Sequence, residues 1–160
     1  MEIGYELTSL NSVKYLFLRE ISEPRDNSLR LVVDEAVETA SEASKDPDRR
    51  IPNLIKTATN VSAIDTTESC RSFELTWAYY LAYLVTEECV GSCGNHDDEI
   101  FSGKLFRTYT KSNFLDHLAR DTGAHTQPIL HYKLTCLNHL IDVASYAPPV
   151  IRVVAAKSSN

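Results

Sequence analysis

Glycine is scarce in this chain, five in 160 residues, and the loops that cradle phosphates with glycines at fixed spacing are missing with it. Neither G-x-x-x-x-G-K-[ST] nor G-x-G-x-x-G occurs, so nothing points to a nucleotide cofactor. H-E-x-x-H is absent as well, which removes a common zinc-protease signature. The stretch "GSCG" at 91–94 is not G-x-S-x-G, and it does not follow a buried strand that feeds a helix, the setting a nucleophile turn requires. No cofactor and no catalytic residue is therefore expected.

Positive charge is thin. Sixteen Lys and Arg stand against 22 Asp and Glu, giving a net charge of −6 and a pI near 5.3. The only dense basic spot is "DRR" at 48–50. A nucleic-acid binder would carry a basic patch or stripe, so that class of partner is excluded. No run of about 18 apolar residues exists, so no membrane span is expected. The start, MEIGYELTSLNSVKYLFLRE, has no basic opening followed by an apolar stretch and reads as no secretory leader. A cytoplasmic location follows as the expectation, with the four cysteines reduced.

What remains is an ordinary globular composition, 43% hydrophobic and 24% charged, long enough for one domain over 1–160 with its own core. Residues 13–22 alternate Tyr15, Phe17, Arg19 and Ile21 with Leu16, Leu18 and Glu20. After the turn chemistry of "EPRDN" (23–27), residues 28–38 set Leu29, Leu31, Val33 and Val37 against Arg30, Asp34 and Glu38. Two alternating runs around a short polar turn predict an antiparallel hairpin. Residues 39–57, with Pro47 and Pro52, read as a long loop.

The run 71–88 places Phe73, Leu75, Trp77, Tyr79, Leu81, Tyr83 and Val85 at alternate positions. Wound as a helix, those groups would spread right around the cylinder, so the spacing predicts one long strand, bent or bulged partway. Residues 103–111 read as its partner. A short helix then opens at Ser112, with Phe114, Leu115 and Leu118 on one side and Gly123 as terminator. The run 129–146 changes the parity of its apolar face near Leu137, which predicts a bulge or a corner between sheet layers. VIRVV (150–154) adds a short edge piece. The predicted fold is a mainly β domain, an antiparallel sandwich or partly open barrel with long bent strands and one short helix; an α+β arrangement is the alternative.

Three constellations invite function. "CVGSCGNHDD" (89–98) suggests half of a zinc site, with Cys89, Cys93 and His96 as weak metal candidates and Cys136 with His139 as the second pair. On one strand positions three apart face opposite ways, so that second pair is disfavoured and no metal is expected. His131, Lys133 and His139 fall on one face of the last long run, with Arg107 and Tyr109 on the preceding strand. Arg107, Tyr109, His131 and His139 are thus the candidate ligand-binding residues, unless this is the solvated side of a half-buried strand. Trp77, Tyr79 and Tyr83 are assigned to the core, while Tyr80 faces the other way and is the candidate partner-facing residue. The leading expectation is a non-enzymatic protein that binds a protein partner or itself, at most inhibitor- or immunity-like. A small-molecule-binding barrel or enzyme with a His/Arg/Tyr-lined pocket is the rival.

Overall fold

The alternation at the start of the chain becomes the first hairpin of an antiparallel sandwich. The computed structural model describes residues 4–39, 63–67, 69–91, 98–122 and 127–154; the long-loop expectation for 39–57 falls almost wholly outside them. Strand β1 (Tyr15–Ser22) pairs with β2 (Leu29–Thr39). Their turn closes on Asn27, whose φ of 57° is a left-handed conformation that asparagine tolerates. Ser28 Oγ both accepts the Arg25 N–H and donates to the Arg25 carbonyl.

The register of β1 slips between Leu18 and Glu20, a bulge at Arg19. Leu16 and Leu18 face the core before it, and Ile21 packs on the same core after it. Strict alternation grouped Ile21 with Phe17; the bulge separates them and leaves Phe17 exposed.

The run 71–88 is two strands. Strand β4 (Ser72–Trp77) belongs to the sheet ordered β1-β2-β4-β10, where β10 is Val150–Val154 and a short β3 (Ala63–Asp65) also pairs with β2. Strand β5 (Ala82–Glu87) belongs to a second sheet and runs into a single helical turn, α2 (Glu88–Gly91). That sheet is ordered β5-β9-β8-β7-β6, with β6 at Ile100–Gly103, β7 at Phe106–Lys111, β8 at Leu130–Thr135 and β9 at His139–Ser145. The chain crosses between sheets at 78–81 and again, from β9 to β10, at 146–149. Because β4 pairs with β10 and β5 with β9, a two-stranded ribbon turns a corner from one layer to the other. The expected single long strand is corrected by that corner.

The run 129–146 is likewise a hairpin, β8 and β9, closed where the Cys136 N–H donates to the His139 carbonyl. Its parity change is the turn itself. Asn138 in that turn brackets Leu18 of β1, accepting its N–H through Oδ1 at 2.9 Å and donating Nδ2–H to its carbonyl at 3.0 Å.

Between the layers Trp77 lies 6.5 Å from Phe106 and 6.1 Å from Tyr132, whose rings stack at 5.5 Å. Helix α1 (Tyr5–Ser12), which periodicity did not reveal, inserts fully buried Leu10 into this core. Asn11 Oδ1 accepts the N–H groups of Lys104, Leu105 and Phe106. Gly103 makes the tight β6–β7 return at φ +97°, where an added Cβ would lie 2.1 Å from the Phe106 carbonyl oxygen. Among the described residues both sheets keep open edges, so the molecule is a sandwich and not a closed barrel. Helix α3 (Asn113–Thr122) covers the outer face of the second sheet with Phe114 and buried Leu118. Among the described residues no helix is long and apolar enough to cross a membrane.

Candidate functional site

Strand register places the polar cluster. β7 pairs with β8 so that Tyr109 opposes His131 and Arg107 opposes Lys133, and β8 pairs with β9 so that Lys133 opposes Asp142. Directly opposed residues share a face, so these five stand together on the outer side of the second sheet, under α3. The His131 ring stacks on Tyr109 at 4.4 Å, and Phe114 of α3 closes over it at 5.1 Å.

Both imidazole nitrogens are satisfied. Nε2 is 2.8 Å from Asp142 Oδ1 and Nδ1 is 2.8 Å from Ser112 Oγ. A carboxylate only accepts, so Nε2 carries the proton on that side, while Nδ1 shares a hydrogen bond with the Ser112 hydroxyl. Ser112 Oγ in turn accepts the Leu115 N–H at 3.2 Å and caps α3. Lys133 Nζ sits 3.5 Å from the same Asp142 oxygen. Burial pushes the Tyr109 phenol up, opposed by the Arg107 guanidinium.

A hydroxyl–imidazole–carboxylate chain activates a nucleophile where substrate can reach the hydroxyl. Here Ser112 is 1% exposed, His131 2% and Asp142 7%. The hydroxyl is also engaged by the helix backbone. The arrangement therefore ties the first turn of α3 to the sheet. Ser112 borders a cleft of about 80 Å³ that is also lined by Asp98, Glu99, Lys111, Asn113 and Asp116. Ligand pockets run to roughly 300–1,000 Å³, so this cleft admits little beyond water.

The four ligand-site candidates do not converge. Tyr109 and His131 meet. Arg107 shares their face, but its guanidinium lies over Phe101 at 4.4 Å and its Nε donates to the Lys104 carbonyl. His139 is on the opposite, core-facing side with Ile141 and Val143, because the turn at 136–138 resets the parity assumed for it. Its buried Nδ1 has no hydrogen-bond partner among the described residues. Sequence reasoning marked Ser112 only as a helix start and did not bring Asp142 to it. A charged residue inside the apolar run LIDVA was the available signal for Asp142.

Cys89 is exposed on α2, and its thiol is pushed up by the Glu87 carboxylate, with Glu88 adding to the effect. That opposes the thiolate a metal requires. Cys93 and His96 lie outside the described residues. Cys136 is a core residue whose thiol burial drives up to about 12. It faces His139 across a turn, not along a strand.

Tyr80 is half-buried. Its hydroxyl and that of Tyr83 both donate to Glu23 Oε1, at 2.9 and 3.0 Å, and the hydrogen bond to Glu23 pushes both phenols up. The exposed ring in this stretch is Tyr79, at 51%, because it falls in the corner.

The sheet edges differ in how they meet solvent. β1 is bulged and its Leu18 backbone is occupied by Asn138. β10 carries Arg152 at its centre. β6 is four residues long with a register slip. β5, AYLVTE, has neither proline nor lysine nor a register slip, and exposes Leu84 at 50% and Val85 at 38%. Edge strands without such devices are templates for added strands. The chain matches no family model, no curated protein and no solved structure.

Proposed function

We propose that this protein acts by protein–protein association through the β5 edge of its second sheet, and not by turning over a substrate. The observation that carries the reading is the unprotected edge itself: Leu84 and Val85 exposed on a strand with only β9 beside it among the described residues. Strand addition supplies main-chain hydrogen bonds from such an edge, while alternate side chains set specificity. Two further features support it. The His131 cluster is spent on holding α3, and the outer face of the first sheet neutralises itself, with Arg30 bonded to both Glu20 and Glu74. A cytoplasmic setting, a cofactor-free protein and no nucleic-acid partner belong to the same reading.

A photo-crosslinking side chain at position 84, compared with one at exposed Thr8 of α1, tests it in cells. The reading requires position 84 to capture a discrete protein band that position 8 does not. Indistinguishable labelling at the two positions refutes it.

A further inference from the structure

We infer that the occupant of the β5 edge is β5 of a second copy of this chain, paired antiparallel about a two-fold axis centred on Leu84. The inference rests on the edge-association reading and names its partner. In a continuous antiparallel sheet, opposed residues lie on the same face, so a two-fold can centre only on a residue and pairs positions whose numbers differ by an even count. Centred on Leu84, the pairs are Leu84 with Leu84, Tyr83 with Val85 and Ala82 with Thr86. Every one is uncharged. Glu87, the strand's only charged residue, falls opposite Leu81 of the corner and meets no carboxylate.

The other edges offer shorter uninterrupted runs, and β3 has only the three residues Ala63–Asp65. β10 pairs all five of its residues with a copy only when centred on Arg152, which sets two guanidinium groups face to face, and centred on Ile151 or Val153 it pairs only three. β1 and β6 are interrupted by register slips. β5 is thus the described edge with the longest uninterrupted run that can pair with its own copy without opposing like charges. Its exposed apolar residues also fall on both faces: Leu84 on the side of Asp142, and Val85 on the side of Ile141. Self-pairing gives both a partner at once and joins two five-stranded sheets into one of ten strands.

Sedimentation velocity of the purified full chain over about 1–100 μM is the first measurement. The inference expects the mass to rise from 18.0 kDa towards twice that value. Leu84→Lys, which opposes two like charges at the axis, is expected to raise the dissociation constant at least about tenfold. Val153→Lys on β10 is expected to leave it unchanged. The register is then tested by mixing. The Leu84→Lys and Leu84→Glu variants, each weakened alone, are expected to associate with one another, because position 84 faces itself. A wild-type chain that stays at 18.0 kDa throughout overturns the inference. So does a dimer that Leu84→Lys leaves intact while melting at an unchanged temperature. If the purified chain is monomeric yet position 84 captures another protein in cells, the second copy is refuted and the edge reading stands; if position 84 captures nothing, both fall.

Discussion

Asp142 makes a buried histidine tolerable. Its carboxylate accepts from His131 Nε2 and lies within reach of Lys133, so an imidazole only 2% exposed keeps a partner on each nitrogen. Removing one partner leaves a buried donor unpaired, which costs about 1–3 kcal/mol. Asp142→Ala is accordingly expected to destabilise by about that amount in urea denaturation. Asp142→Asn, whose amide oxygen still accepts from Nε2, is expected to cost less than half as much. Equal losses for the two would show that the hydrogen bond is not what matters. Gly103 provides a backbone counterpart. With φ at +97° and the Phe106 carbonyl where a Cβ would go, Gly103→Ala is expected to cost about 2 kcal/mol or more, read from the same denaturation curves. At this scale little was legible beforehand. His131 and Tyr109 could be placed together because their strands do pair, but Ser112 and Asp142 arrive from separate elements. His139 was misplaced because a three-residue turn reverses side-chain parity without leaving a mark in the hydrophobic pattern.

Elements were read more successfully than the joints between them. The β1–β2 hairpin and the Ser112 start of α3 were both legible, since each rests on local periodicity plus a turn or cap residue. The corner at 78–81 was not. Phe73, Leu75 and Trp77 face the core from one sheet, and Tyr83 packs on that same core from the other. The inside of the bend stays the core, so odd-numbered positions remain apolar straight through and the break is silent. Helix α1 was missed for the opposite reason: YELTSLNS has too few apolar residues to show a stripe, and Leu10 alone is a fully buried apolar anchor. The Ser112 relay joins two elements, which makes a prediction at this scale. Ser112→Ala removes the α3 cap, worth about 1 kcal/mol, and also the Nδ1 partner of His131. Amide exchange is expected to accelerate in 113–118 well before it does in β4 or β9. Uniform acceleration across the chain would mean that α3 does not open separately from the sandwich.

For the whole molecule, two titrating groups inside the core are expected to contribute to the alkaline limit of stability. Burial raises the Cys136 thiol from its ordinary 9.0 to about 12 and the Tyr132 phenol from 10.0 to about 12. Each therefore holds its proton more tightly folded than unfolded. Their contribution is fully present below the unfolded values and is lost as pH rises through the folded ones. The opposite sign holds for Glu35, whose carboxyl is kept low chiefly by its hydrogen bonds from Arg71. Its contribution is present above the ordinary 4.5 and disappears as pH falls below that value. The Leu84→Lys chain suits the measurement, because it keeps association from adding its own stabilisation to the curve. Its urea midpoint is expected to hold steady through neutral pH and to decline once pH passes 9.0, where the unfolded Cys136 thiol begins to ionise. Cys136→Ala lowers the plateau by leaving a small void, yet is expected to flatten the decline between 9.0 and 10.0, above which the raised phenols of Tyr132, Tyr109, Tyr80 and Tyr83 drive it. A decline that keeps its steepness between 9.0 and 10.0 after this substitution would place the alkaline limit in other groups.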